Sequence, residues 1–323
     1  MAPVHFWTGT PIITNALTVS CGRNFTAILL ENGNVVTFGS NQFGQLGFSP
    51  FIIGETATPI FVQPDGNNIV NAKYVSCGSE HTVIILDNGI AVSFGRNHYG
   101  QLEDTTYSTY NTLTYVCEPN GSVMNNIYDV SCGAVHTAII LMNNTVATFG
   151  SNTYGELGRT IFFPMTSAMP GIINSINDTN IDNCTSISCG SNYTSILLDN
   201  SNVITFGKNV DGQLGDGTYT NKSSPVYVKT DVNTNLTDAI SVSCGDSHTA
   251  ILLYNGSVVT CGNNAFDQLI NNTIGVSSNL PIYVKSNGEL ITTAISTTCG
   301  EYYTVILLEN GTTIAGVITV VDN

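Results

Sequence analysis

Apolar and polar positions along the chain fall into short alternating blocks. Runs of five or six residues rich in Val, Ile, Thr and Phe, such as Phe25-Thr26-Ala27-Ile28-Leu29-Leu30 and Val35-Val36-Thr37-Phe38, are separated by Asn, Asp and Gly. That length and composition predict β-strands, and no segment carries a helical period. Asn-Gly joins paired runs at Asn32-Gly33, Asn88-Gly89, Asn255-Gly256 and Asn310-Gly311, and Asn143-Asn144 and Asn200-Ser201 stand in the same place. Hairpins follow, with type I′ turns expected because both central residues of that turn need positive φ, which Asn and Gly tolerate.

The blocks recur at long range. Cys21, Cys77, Cys132, Cys189, Cys244 and Cys299 are 56, 55, 57, 55 and 55 residues apart, and each opens the same series. Val-Ser-Cys-Gly leads to an apolar run, a turn, a second run ending in Phe-Gly, and then Asn-x-x-Gly-Gln-Leu. A fourth strand is predicted from Pro59-Ile60-Phe61-Val62, Pro225-Val226-Tyr227-Val228 and Pro281-Ile282-Tyr283-Val284, since proline is tolerated at a strand start or edge. Four antiparallel strands per copy describe a β-propeller blade. Six copies, starting near 19, 75, 130, 187, 242 and 297, make residues 1–323 one all-β domain. The sixth copy lacks its own Gly-Gln-Leu-Gly and proline strand, so Pro11-Ile12-Ile13-Thr14 is predicted to complete the last blade, which would remove two exposed edges.

Charge changes the picture in one direction. Eight Lys+Arg against 23 Asp+Glu leave a net charge of −15, although only 10% of residues are charged. A protein that neutralises phosphates needs the opposite balance, so DNA is not expected as a partner. No apolar run approaches a membrane span. No basic segment followed by an apolar block opens the chain, so an intracellular location is expected. The regular cysteines read as buried free thiols at a shared core position rather than as a disulfide framework.

Candidate chemistry is sparse. Cys-x-x-x-His occurs at Cys77/His81, Cys132/His136 and Cys244/His248, a spacing that suggests metal ligation. The same slot holds Phe25, Tyr193 and Tyr303 in the other copies. A ligand position would not accept Phe, so the ring is read as packing and no metal is expected. The Gly-Gln-Leu-Gly turns lack the Gly-Lys-Ser/Thr ending of a phosphate loop. No nucleophile–base set can be assembled, so no catalytic residue or cofactor is predicted. The one charged feature is the loop between Cys-Gly and the second strand, which carries Glu80, Asp246 and Glu301. These are the candidate interaction residues, expected as a ring at one mouth of the central channel.

The series Val-Ser-Cys-Gly-x-x-His-Thr, Leu-x-Asn-Gly and Phe-Gly-x-Asn-x-x-Gly-Gln-Leu-Gly resembles the RCC1 (regulator of chromosome condensation) repeat. The likeness is fullest at Phe206-Gly207-Lys208-Asn209-Val210-Asp211-Gly212-Gln213-Leu214-Gly215. The resemblance implies a propeller, in that family usually of seven blades; six copies here predict six blades, with seven as the alternative. It also implies functions from guanine-nucleotide exchange on a small GTPase to plain interaction platforms. The family's exchange activity uses a projecting hairpin. Here each Gly-Gln-Leu element lies 28 to 30 residues from the next repeat, with no room for one. Its chromatin attachment uses a basic tail, and residues 1–22 contain no Lys or Arg. The expected function is therefore a non-enzymatic interaction propeller whose acidic loops meet a protein partner with a basic surface. A guanine-nucleotide exchange factor for a small GTPase is the first alternative, and a structural component of a particle or assembly the second.

Overall fold

The computed structural model describes residues 13–48, 54–63, 68–103, 107, 110–159, 166–173, 181–271, 273–286 and 288–316. Blade one contains Ala16–Cys21, Phe25–Leu30, Val35–Ser40 and Glu55–Phe61, and blade two contains Ala72–Cys77, His81–Leu86, Ala91–Gly95 and Tyr110–Tyr115. Blade three is Ile127–Cys132, His136–Leu141, Val146–Ser151 and Thr166–Ile172; blade four is Cys184–Cys189, Tyr193–Leu198, Val203–Gly207 and Lys222–Tyr227. Blade five is Ala239–Cys244, His248–Leu253, Val258–Gly262 and Ser278–Tyr283. Blade six has three strands among the described residues, Ala294–Cys299, Thr304–Leu308 and Thr313–Gly316. The architecture is a six-bladed propeller of antiparallel sheets, as the repeat predicts. A two-residue hairpin, Lys285–Ser286 with Glu289–Leu290, follows blade five. Bridges Cys117–Val123 and Lys229–Asn235 hold the same place after blades two and four.

Local chemistry explains why each motif is spelled as it is. In the hairpin after each second strand, positive φ falls only on the residue after the Asn: Gly33, Gly89, Asn144, Ser201, Gly256 and Gly311. The turn is thus not type I′. In blade one Gly33 N–H donates to Leu30 O and Leu30 N–H to Asn34 O, the pattern of a type I turn closed by one left-handed residue. The Asn is needed for a different reason: its Oδ1 accepts the N–H two residues on, at Asn32, Asn88, Asn143, Asn200, Asn255 and Asn310. The prolines of the fourth strands also differ from expectation. Pro59, Pro225 and Pro281 lie inside their strands, where the register shifts against Thr37/Gly39, Thr205/Gly207 and Thr260/Gly262. These are outer edge strands, and a bulge removes the need for the missing N–H.

The core lies between blades, not within them. Ala27 and Leu29 of blade one pack with Ile84, Val92 and Phe94 of blade two. Val83 and Ile85 of blade two meet Ile139, Ala147 and Phe149 of blade three in the same way. The first strands adjoin from blade to blade around the axis. There Ser20 Oγ accepts the Cys77 N–H at 2.9 Å, and Ser76–Cys132, Ser131–Cys189, Ser188–Cys244 and Ser243–Cys299 repeat the bond at 2.9–3.0 Å. All nine cysteines are free thiols. Two outside the regular series also fill repeat slots: Cys184 opens a first strand, and Cys261 takes the place of the phenylalanine before Gly262.

Among the described residues the first blade differs from the middle ones. Val19 is 60% exposed, whereas its equivalents Val130, Ile187 and Val242 are buried against the preceding blade. Pro11 and Ile12 of the predicted closing strand lie outside the described residues, as does any pairing they make. Ile13 and Thr14 are described and are not in a strand. Ile13 packs on Ile28, Leu30 and Val36 of blade one.

Candidate functional site

In an antiparallel meander, alternate connections emerge on opposite faces. The Asn-Gly turns occupy one face, and the Cys-Gly-x-x-ring loops share the other with the Asn-x-x-Gly-Gln-Leu loops. The first of these loops is shaped by a close approach. A Cβ on Gly78 would stand 2.1 Å from His81 Cε1, and on Gly133 or Gly245 it would stand 2.2 Å from the Cε1 of His136 or His248. The ring folds over the glycine and reaches the next blade. His81 Nε2 meets Thr137 Oγ1 at 3.1 Å, His136 meets Thr194 at 3.0 Å and His248 meets Thr304 at 2.9 Å.

Each of these threonines donates its hydroxyl proton to a backbone carbonyl, of Gln101, Glu156 and Gln268. The threonine oxygen can therefore only accept, so Nε2 carries the histidine proton. Burial lowers the pKa to about 3 for His81 and His136 and about 4 for His248. Tyr193 occupies the slot by reaching the His248 carbonyl with its hydroxyl, and Phe25 fills it by packing alone. The slot thus works as a seam pin, which is why any planar ring serves. Among the described residues no group of three His, Cys, Asp or Glu is placed to hold a metal ion.

The rim of this face is built from the residue two after each cysteine. Arg23 N–H donates to Ser79 O, Ala134 to Ser191, Ser191 to Asp246 and Asp246 to Glu301, at 3.0–3.3 Å. Asp246 and Glu301 are therefore neighbours on the rim. Glu80 stands one position further along its loop and pairs with Arg96 at 2.6 Å. The structure brings together two of the three predicted carboxylates and sets the third aside.

A second series was not singled out from sequence. In each Asn-x-x-Gly-Gln-Leu loop the buried Asn accepts the Leu N–H through Oδ1, as from Asn41 to Leu46 at 2.9 Å and Asn264 to Leu269 at 3.0 Å. In four of the five loops the residue two after the Asn reaches the next blade: Phe43, Tyr154, Asp211 and Phe266. Arg96 of blade two lies 5.0 Å from the Phe43 centroid, and Lys208 of blade four lies 5.9 Å from that of Tyr154. Asn263 donates to Asp211 at 3.0 Å. Phe266 meets Tyr302 of blade six, with centroids 5.1 Å apart and planes at 55°. The signal was present in the sequence as an aromatic residue at this position in four of five copies.

Two cavities accompany these features. One of about 110 Å³ opens between blades five and six, lined by Asp246, Ser247, Asn263, Phe266, Gln268 and Tyr302. The other, about 370 Å³, lies by the outer strands of blades two and three and includes Glu103, Cys117, Pro119 and Met169. Burial, and then the charge of Glu103, raise the Cys117 thiol, so this cysteine is not activated as a nucleophile.

The RCC1 (regulator of chromosome condensation) repeat model matches residues 32–85 and 200–252, and a second model of that repeat matches 17–45, 72–101 and 239–268. A bifunctional serine/threonine-protein kinase/NEDD4-like E3 ubiquitin-protein ligase of Dictyostelium discoideum is 29% identical, over 72% of this chain and 13% of its own length. The serine/threonine-protein kinase Nek9 of Mus musculus is 27% identical, over 78% of this chain and 26% of its own. The chain thus spans about a quarter or less of these relatives. The RCC2 homolog of Danio rerio is 34% identical over 43% of the chain and 32% of its own length. Human WBSCR16 superposes with a TM-score of 0.77 at 18% identity, covering 95% of this chain and 77% of that one. Yeast RCC1 (Prp20), seen bound to Kap60, gives 0.77 at 16% identity, with 93% and 69% covered. Repeat, blade and seam agree: the chain carries RCC1 repeats, matched within residues 17–101 and 200–268, and folds as a β-propeller of six blades.

Proposed function

We propose that the propeller is a non-enzymatic protein-interaction module that engages a basic partner through the acidic rim. The carrying observation is the adjacency of Asp246 and Glu301 on the rim, beside Phe266 and Tyr302, each 46% exposed. Carboxylates next to exposed aromatic rings suit cationic side chains, and the net charge of −15 would steer a basic partner toward them. The kinase and ligase activities named for the relatives belong to much longer proteins. Capture of partners from the native host at low and high salt tests the reading: a specific partner should be released as salt rises. Salt-independent capture would refute it.

A second reading, nucleotide exchange on a small GTPase, is supported by the fold shared with yeast Prp20p, a protein described with binding properties to Gsp1p and histones. Against it, the hairpin Lys285–Ser286/Glu289–Leu290 is a small repeat feature with counterparts after blades two and four. Accelerated release of labelled GDP from a GTPase panel, at catalytic concentrations of propeller, would establish exchange instead.

A further inference from the structure

The seams on the rim face form a series of equivalent notches, and their differences are informative. In the notch between blades one and two, the chain supplies its own cation: Arg96 lies over Phe43 and is held by Glu80 at 2.6 Å. Between blades three and four, Lys208 lies over Tyr154. The notch between blades five and six has more of what attracts a cation. It has two rings, Phe266 and Tyr302, and Asp246 in its lining, and the backbone of Asp246 is bonded to that of Glu301, the next residue along the rim. Tyr302 follows Glu301 directly in the chain, and Glu301 raises the pKa of its phenol, so ring and carboxylate act on each other. Among the described residues no basic side chain lines this cavity. Arg23, exposed on blade one, exerts a charge effect on Tyr302, but it forms no ion pair with Asp246 or Glu301 among the described residues.

We infer that the cavity between blades five and six is a receptor for one arginine side chain of a partner protein, inserted over Phe266 and Tyr302 toward Asp246 and Glu301. The inference rests on the interaction reading above and gives it an address. Arginine is favoured over lysine because a planar guanidinium stacks on rings and can present two parallel donors to a carboxylate. The volume, about 110 Å³, suits a single head group and falls well below the roughly 300–1,000 Å³ of a drug-sized ligand site. Rings that carry cations in two sister notches show that the geometry accommodates such a group. Asn263 and Gln268 line the same cavity, and Gln268 donates to Asn263 Oδ1 at 3.1 Å; Ser247 Oγ donates to Asp246 Oδ2 at 3.3 Å, and Asp246 Oδ1 and the Glu301 carboxylate are the sites for the incoming donors.

The test uses the full chain and a capped seven-residue Gly/Ser peptide carrying one arginine, with lysine and citrulline counterparts, followed by amide NMR shifts and titration. The arginine peptide should shift residues 246, 266, 301 and 302, bind several-fold tighter than the lysine peptide, and lose binding when citrulline replaces arginine. Asp246→Asn with Glu301→Gln should weaken it at least tenfold, and Phe266→Ala several-fold. The charge-matched pair Glu31→Gln with Glu309→Gln, in hairpin turns of the opposite face, should leave it unchanged. Equal binding of the citrulline peptide, shifts confined to other residues, or indifference to the Asp246/Glu301 variant would overturn the inference. A deca-arginine chain separates this failure from that of the broader reading. If deca-arginine binds salt-dependently to wild type and variant alike, the acidic interaction surface stands and the notch does not; if it binds neither, both fall.

Discussion

The three seam histidines make the fold acid-sensitive in a calculable way. His81, His136 and His248 are fully buried, each with Nε2 on a threonine of the next blade and Nδ1 without a partner. Burial lowers the pKa to about 3, 3 and 4, from 6.5 when unfolded. Between those values the unfolded chain binds protons that the folded chain refuses, so stability rises with pH across the window and falls as pH drops below 6.5. At pH 5 each histidine costs about 2 kcal/mol relative to pH 8, from 1.36 kcal/mol per pH unit. Three together cost about 6 kcal/mol, a large share of the roughly 5–15 kcal/mol that holds a domain together. His81 further disfavours the charge on His136, so their protonation is antagonistic within the folded ring.

The perturbation is replacement of all three by phenylalanine, the ring that blade one already uses at Phe25. Urea unfolding midpoints measured from pH 8 to pH 4.5 should fall steeply for wild type. For the variant the unfolding free energy obtained from those midpoints should fall by about 6 kcal/mol less between pH 8 and pH 5, with each single replacement recovering about a third. Carboxylates titrate in both proteins and cancel in the comparison. Parallel pH profiles, or histidine ring signals titrating near 6.5 in the folded protein, would refute the reasoning.

Gly245→Ala places a Cβ 2.2 Å from His248 Cε1 and should cost about 3 kcal/mol by overpacking the seam, read as a lowered urea midpoint. Asn209→Ala removes the acceptor of the Leu214 N–H and the donor to Asp216 and Thr220; a loss of about 2–3 kcal/mol is expected for the stranded buried groups, and an unchanged melt would show that the loop is not held by this side chain. A thiol reagent at pH 8 should modify exposed Cys21 first. Cys77 and Cys189, buried and pushed up to about 12, should react only on unfolding. A chain without residues 1–16 loses Ile13 from its place on Ile28, Leu30 and Val36 and should melt several degrees lower; identical melting would remove any stabilising role from this segment.

The blade count was readable because one blade is one sentence of the sequence, and Cys-Gly-x-x-ring and Asn-x-x-Gly-Gln-Leu each have a local cause. What escaped reading was whatever depends on the neighbouring blade. Glu80 and Asp246 lie in equivalent loops of blades two and five, yet a one-residue offset sends Glu80 to Arg96 and leaves Asp246 on the rim. Arg96 and Phe43 are 53 positions apart in the chain and meet only because the repeat returns the one beside the other. The turn type was missed for a local reason. Asn-Gly serves a two-residue turn and a three-residue turn equally well, and only the hydrogen bonds of Leu30 tell them apart.

The bond donated by a cysteine N–H to the serine of the preceding blade, always in the same direction around the axis, gives the ring a polarity. A blade behaves as one subunit of a head-to-tail oligomer whose copies are covalently joined. In such heterologous assemblies closure is decided by the rotation per step, not by the chemistry of the joint. The seam itself does not count to six. An extra repeat inserted in phase would find both its interfaces ready-made, so the number of blades can drift in descent while every joint stays the same.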